Sequence, residues 1–500
     1  MSKIIMALDQ GTTSSRTILY NEKSETIAVA SEAFSCQYPK DGWVEQEAED
    51  IWRSQKNTMD AVLKKAKLNL GDVAAIGIAN QRETIIAWNK ETGKPVGKAI
   101  VWQCRRTADY CDCLKAEGFD KVIKEKTGLV TDAYFSGSKI RWILRNNIEA
   151  RELANKGKLK VGTVDAWLIW KLTAGAVHAT DVSNASRTMI FNIHDLKYDP
   201  VLMEKLDIPE EILPKVNPSS GIFGKTDKKL FGHEIPIAGV AGDQQAALFG
   251  QAAYEKGMTK ITYGTGCFMM MNTGAEAIAS PSGLLTTIGW QIGDKVTYAL
   301  EGSVFIAGAL MQWMRDDLDF FTDVAQIEEM ATAVPSSEGL YIVPAFVGLG
   351  APYWDPYARG AMLGITRGTT KNHIVRAGIQ SLAYQANDLI GAMVKDSGIK
   401  LQTVKVDGGA SANNYLCQFQ ADILGVSLSR PKNVETTAMG AAYLAGLALG
   451  VWTDMDQIKS FWQEDRCFHL NQSQEKVDEC LRGWKKAVDR AKSWALRNGS

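Results

Sequence analysis

Asp9 ends a short apolar run, Ile4 to Leu8, and opens the stretch DQGTTSSR, which closes at Arg16. An apolar run that stops on a carboxylate, followed by one glycine and four hydroxyls, reads as a strand entering a polar turn. The idea returns once. Ile237–Val240 leads through Ala241 and Gly242 to Asp243, in the stretch GDQQAALFG. Two strand-ending aspartates far apart in the chain, each followed by a turn, suggest two groups that meet over one magnesium-bound phosphate.

The chain has 500 residues, 45% of them hydrophobic and 23% charged. That is enough apolar material for a large core, divided among two or about three domains. The formal net charge of −1 gives no overall electrostatic case for nucleic acid or an anionic membrane surface. The apolar run before Asp9 is too short for a secretory signal. The longest apolar stretch, Ala438 to Trp452, falls short of the ~20 residues that span a bilayer, and Gly440, Gly446 and Gly450 suit a closely packed helix instead. A cytoplasmic protein with no membrane insertion is expected. The eight cysteines are read as free thiols, because Cys111 and Cys113 have neither redox nor zinc-knuckle spacing.

Strands are expected at Lys3–Leu8, Thr17–Leu19, Thr26–Ala30, Val73–Ile78 and Ile85–Trp88, with a helix over Ala48–Lys67. The pattern restarts near residue 250. Lys260–Thr262 leads into the turn Tyr263-Gly-Thr-Gly266, Phe268–Asn272 and Val296–Glu301 read as strands, and Thr403–Val406 runs into DGGASANN at Asp407–Asn414. A helix over Tyr415–Leu424 follows. This weak internal duplication, with strands and helices mixed, predicts an α/β architecture whose ligands sit at strand ends and domain junctions. The expected division is residues 1–250 and 251–500.

The turns have a physical role. Gly11 permits a tight turn, and Thr12, Thr13, Ser14 and Ser15 offer hydroxyl and backbone donors to phosphate oxygens. Arg16 adds a positive fork, and Asp9 can hold magnesium through water. Tyr263–Gly266 can cradle phosphate in the same way. Gly408 and Gly409 allow close approach of a ligand, and Asn413 can donate and accept at a purine or ribose edge. There is no G-x-x-x-x-G-K-[ST] loop and no strand–GxGxxG–helix unit.

Further motifs carry a resemblance. Tyr134-Phe-Ser-Gly-Ser-Lys139-Ile-Arg-Trp142, Gly360-Ala-Met-Leu-Gly364-Ile365 and the residues His373, Ile374 and Ala377 resemble the two signatures of the FGGY carbohydrate kinases. The likeness covers essentially the whole chain and is strongest to the branch that acts on glycerol. It implies two actin-like ATPase (ribonuclease H-like) domains with a nucleotide cleft between them, ATP and Mg2+ as cofactors, and a homodimer or homotetramer. In that family's terms, Arg82 and Glu83 of the stretch NQRET hold the polyol hydroxyls, joined by Tyr134, while Trp102 and Phe268 wall the carbon chain. Asp243 acts as general base and, with Asp9, stands near the metal. Gln244 neighbours the substrate. Thr12, Thr13, Ser14, Arg16 and Thr265 serve the phosphates. Gly308, Gln312, Gly409 and Asn413 match nucleotide contacts. The alternative is a family kinase for another polyol or ketose. The stretch Lys228–Glu234 lacks the glycine-rich pattern by which some relatives bind a regulatory sugar bisphosphate, and His233 is read as an ordinary loop histidine.

Overall fold

The computed structural model describes residues 3–495. Within them, thirteen strands form one mixed sheet that runs through both halves of the chain. In chain order they are β1 (Ile4–Gln10), β2 (Ser14–Tyr20), β3 (Thr26–Ala33), β4 (Val73–Asn80), β5 (Ser220–Lys225), β6 (Pro236–Gly242), β7 (Thr259–Tyr263), β8 (Cys267–Gly274), β9 (Leu285–Ile292), β10 (Lys295–Val304), β11 (Val404–Asp407), β12 (Leu428–Pro431) and β13 (Glu464–Phe468). Six helices matter for the site: α1 (Ala48–Ala66), α2 (Asp243–Gly250), α3 (Gly308–Asp316), α4 (Lys371–Ser397), α5 (Asn414–Leu424) and α6 (Thr436–Ala448).

The duplication is real at the level of topology. In the first half β1 pairs antiparallel with β2 and β2 with β3, while β4 lies parallel to β1 and β6 parallel to β4. In the second half β7 pairs antiparallel with β8 and β8 with β10, while β11 lies parallel to β7 and β12 parallel to β11. Each half therefore opens with a hairpin and continues into parallel strands that end at one edge.

The continuous apolar run of β1 follows from burial on both faces. Met6 and Leu8 pack into a core with Ile51, Met59 and Val62 of α1. Ile5 and Ala7 alternate to the opposite face and join a core with Ala438, Ala441 and Ala445 of α6. Strand and helix expectations are met with small extensions: the first strand runs on to Gln10 and the fourth to Asn80. Two readings need correction. The second strand takes up Ser14, so only residues 11–13 form the turn, and Gly11 keeps an ordinary φ. Its value is space, since a Cβ there would stand 3.2 Å from the Ser14 carbonyl oxygen. Asp243 is not followed by a turn; it is the first residue of α2.

The apolar segment at Ala438 is the close-packed helix its glycines predicted. A Cβ on Gly440 would lie 1.8 Å from the Ala246 carbonyl oxygen, and one on Gly250 would lie 1.9 Å from that of Thr436. α2 and α6 thus meet backbone to backbone at the joint between the halves. Gly77 and Gly239 let α6 settle on the sheet, where added Cβ atoms would meet its backbone at 2.2 and 2.4 Å. Gly440→Ala must part this pair, and we expect a loss of about 3 kcal/mol or more in unfolding free energy, measured by urea denaturation.

Candidate active site

Three parallel strands deliver the acidic groups to one edge. Asp9, Ala79 and Ala241 are level in register, and Gln10, Asn80 and Gly242 form the next row. The chain leaves that row at Gln81-Arg82-Glu83 from β4 and at Asp243 from β6, so the two motifs emerge side by side. Glu83 sits at a left-handed φ of 58°, a strained backbone for a non-glycine residue and one that clusters at functional sites.

Arg82 is buried and held from several sides. Its Nη1 and Nη2 grip Glu301 at 2.6 and 2.9 Å, a bidentate fork. Nη1 also donates to Gln245 Oε1 at 3.2 Å, and the Tyr134 hydroxyl lies 3.5 Å from Nη2. Nε stands 3.1 Å from Asp243 Oδ1. Glu83 is held by Arg187, whose Nε donates to its Oε1 at 2.6 Å, while Arg187 Nη2 donates to Glu301 Oε1 at 3.0 Å. One carboxylate, Glu301, thus anchors both guanidiniums. Burial pushes the Glu301 carboxyl up, but Arg187 and Arg82 together hold it at about 2. Glu83 is raised, because burial outweighs Arg187 and Arg82 there.

Asp243 differs from these buried carboxylates, with a side chain 31% exposed. Both of its recorded contacts, from Arg82 Nε and from the Gln244 N–H at 2.7 Å, fall on Oδ1. Among the described residues no hydrogen bond or ion pair falls on Oδ2. Gln244 accepts from the ammonium of Lys260. Tyr134 is positioned by its own motif: the buried Lys139 Nζ donates to the Tyr134 and Phe135 carbonyls, and burial lowers that ammonium to about 8. Burial also pushes the Tyr134 phenol up.

Trp102 forms a wall with Tyr134, the ring centroids 5.6 Å apart, but it is more than apolar. Its indole N–H donates to Thr12 Oγ1 at 2.9 Å and ties that wall to the first hairpin turn. Phe268 lies half-buried in β8, opposite Thr262 and Ser303, and makes no ring contact with Trp102 or Tyr134. In the first turn Thr12, Thr13 and Ser14 are accessible, whereas the Ser15 hydroxyl points inward to Ser54 Oγ at 2.8 Å, so Ser15 offers no hydroxyl to a ligand. Arg16 is paired with Glu435, an acid from the other half. Asp9 is pushed up to about 7: burial raises it, Arg16 opposes, and Glu435 and Asp243 add to the rise.

The second half presents a matching edge. Thr262 and Asp407 are level across β7 and β11. The Gly264 and Thr265 carbonyls accept from the N–H groups of Gly308, Ala307 and Ala309 at 2.9–3.0 Å, which fixes the Tyr263–Gly266 turn on the start of α3. Gly308 is required there, since a Cβ would lie 2.6 Å from the Gly264 carbonyl oxygen. Gln312 is exposed one turn further along. Gly408, at φ 85°, presses on the Tyr263 backbone, where a Cβ would meet its carbonyl oxygen at 2.3 Å; at Gly409 a Cβ would meet nothing within 4 Å, so this loop is open to a ligand. Asn413 caps α5, its Oδ1 accepting from the Leu416 N–H at 2.9 Å. That use occupies one of the two lone pairs on the oxygen and leaves both amide donors for a ligand.

Four charged residues of this region escape a reading by motif: Arg187, Lys260, Glu301 and Glu435. Glu301 carried a usable signal, a carboxylate at the close of an apolar strand, as at Asp9. Arg187 follows the polar run Ser183-Asn-Ala-Ser186 in apolar surroundings. Lys260 and Glu435 have no local signal.

Comparison with known proteins agrees with this geometry. The N-terminal domain model of the FGGY family of carbohydrate kinases matches residues 4–250, and the C-terminal domain model matches residues 259–449. A glycerol kinase from Caldanaerobacter subterraneus is 59% identical over 495 residues, covering 99% of this chain and all of the relative. The crystal structure of Plasmodium falciparum glycerol kinase with ADP superposes with a TM-score of 0.93 at 34% identity, covering 98% of each chain. Gluconate kinase from Lactobacillus acidophilus has the same fold, with a TM-score of 0.88 at 23% identity over 100% of this chain and 99% of that one.

Proposed function

The chain belongs to the FGGY family of carbohydrate kinases, and from that premise we propose how its residues carry out the ATP-dependent phosphorylation of glycerol. The fold is the two-domain actin-like ATPase (ribonuclease H-like) architecture, and the reaction yields ADP and glycerol 3-phosphate. The observation that carries the residue assignment is the placement of Arg82 and Glu83 at the strand end beside Asp243, with Arg82 Nε 3.1 Å from Asp243 Oδ1.

Glycerol offers only hydroxyls, so its site needs a donor and an acceptor for each. Arg82 and Glu83 supply them, with Tyr134 and Gln244 alongside and Trp102 and Phe268 against the carbons. Asp243 Oδ2 takes the proton of the terminal hydroxyl as that oxygen bonds to the γ-phosphorus. The bond from phosphorus to the β-bridging oxygen breaks, and ADP leaves with the electron pair. Little covalent chemistry falls to the protein, so alignment and charge neutralisation supply most of the rate. Thr12, Thr13, Ser14, Arg16 and Thr265 receive the phosphates, and Gly308, Gln312, Gly409 and Asn413 line the nucleotide.

Magnesium fits the first-half edge in water-mediated form. Among the described residues no cluster of three or more ligating side chains is close enough to hold a bare ion. Yet burial drives the Asp9 carboxyl up to about 7, with Arg16 opposing and the acids Glu435 and Asp243 adding to the rise, and a hydrated cation would favour its ionised form. When bound, it would neutralise the β- and γ-phosphoryl oxygens.

Among the described residues no helix is long and apolar enough to cross a membrane, and all eight cysteines are free. We place the enzyme in the cytoplasm as a homodimer or homotetramer, with the domain division at residue 250. Sedimentation measures the assembly.

The assignment is tested by ADP release with glycerol, xylulose, gluconate or water alone; only glycerol is expected to stimulate it. Arg82→Ala is expected to raise the glycerol KM by ~10–10²-fold, the value of lost charged hydrogen bonds, with a smaller change in the ATP KM. A selective loss of ATP affinity would contradict the polyol role.

A further inference from the structure

Lys260 is a fully buried ammonium that the chemistry above does not use. It stands on β7, the first strand of the second half. Its Nζ donates to Gln244 Oε1 on α2 of the first half at 2.5 Å and to Thr262 Oγ1 at 2.7 Å. Both acceptors are neutral. Among the described residues no carboxylate lies within 4.0 Å of it. Buried charges are ordinarily paired, because an isolated one in a poorly polarisable interior is costly. The acids whose fields reach it are Asp407, Asp243 and Glu301, with Arg82 opposing; burial dominates and lowers the ammonium's pKa.

Gln244 is oriented without ambiguity. An ammonium only donates, so the carboxamide oxygen must face Lys260 and the NH2 group must face away. Thr262 immediately precedes the Tyr263–Gly266 turn, so the same ammonium braces that phosphate cradle from below. The unpaired cation therefore sits between the residue after the general base and the loop that receives the phosphates.

We propose that Lys260 is a positioning residue for phosphoryl transfer: it reaches across the joint to aim the Gln244 amide at the acceptor hydroxyl, and the phosphoryl group in transit is the anion its charge awaits. The inference rests on the assignment of Asp243 and Gln244 to the acceptor end of the site. It gives the ligand-free enzyme an uncompensated charge at the joint, a local instability that ligand relieves.

Lys260→Met keeps an unbranched side chain, one atom shorter, and removes the charge. Turnover is expected to fall by about 10²-fold, with the KM values for glycerol and ATP much less affected. The melting temperature of the ligand-free variant is expected to equal or exceed that of the parent, and the stabilisation by ADP with glycerol to shrink. A purely structural lysine gives the reverse: a lowered melting temperature with near-normal turnover overturns the proposal. Should Lys260→Met not fold, Lys260→Arg decides. Recovery of most of the turnover there supports the charge, and a Lys260→Arg enzyme that binds ADP normally but is as slow as one lacking Gln244 Oε1 contact (Gln244→Ala) overturns it. Asp243→Asn is assayed in parallel. Normal turnover in that variant removes the parent assignment, whereas a slow Asp243→Asn beside a normal Lys260→Met removes only the present inference.

Discussion

Asp243→Asn is expected to lower kcat by ~10²–10⁴-fold, the usual contribution of a positioned general base. The substitution is conservative in shape. Asparagine Oδ1 can still accept from Arg82 Nε and from the Gln244 N–H, the two contacts that fix the carboxylate now. What is lost is the second oxygen, the one without a partner among the described residues, because an amide nitrogen in its place cannot take a proton. Affinity for ADP should hardly move, since the residues proposed to line the nucleotide, Gly308, Gln312, Gly409 and Asn413, come from the other half. Steady-state turnover and calorimetric ADP binding measure the two quantities separately. A variant with near-normal turnover would strip Asp243 of its role, and one with collapsed ADP binding would place it among the nucleotide contacts instead.

The sequence made the strand ends legible because apolar runs that stop at a carboxylate are local signals. Asp9, Asp243 and Asp407 were each found in that way, and the register places the first two at one edge and the third at the other. Element lengths were underestimated where polar residues continue a strand, as at Ser14 to Arg16, because side-chain pattern hides backbone pairing there. The helix that follows Asp243 was missed because DQQAALFG begins with polar residues and its apolar face is short. The proposed polyol role of Arg82 and Glu83 was legible only through resemblance; taken alone, adjacent opposite charges describe a surface ion pair, whereas here both are buried. Which partners fix them was out of reach for a physical reason. Arg187 and Glu301 lie 104 and 219 positions from the residues they bind, and no periodicity encodes such a pairing. Lys260 and Glu435 likewise act across the joint between the halves, which only the folded chain creates.

Glu301→Gln tests that hidden support, and the effect should be large. Glu301 is the carboxylate that Arg82 grips with both terminal nitrogens and that Arg187 also meets, and all three side chains are at least 98% buried. Removing its charge leaves two buried guanidiniums facing a neutral amide, a change that typically costs ~3–5 kcal/mol. The acid dependence gives the sharper reading. Glu301 is held at about 2 when folded, below its ordinary 4.5, so its contribution is present in full above pH 4.5 and is lost as the pH falls towards 2. That displacement corresponds to about 3 kcal/mol. Glu83 acts in the opposite sense, since its folded value is raised and it favours its protonated form. It is present in both proteins, and the Glu301 charge is the smallest of the named causes of its rise, so its contribution largely cancels in their difference. The gap in unfolding free energy between parent and variant should therefore be widest near neutrality and shrink between pH 4.5 and 2, measured by urea titration across that range. At neutral pH the glycerol KM should also rise by about tenfold or more as Arg82 loses its fork, with the ATP KM little changed. A stability gap that stays constant as the medium is acidified would mean that Glu301 is not the ionised anchor of the pair, and Arg82 would then have to be held by Gln245, Asp243 and Glu83.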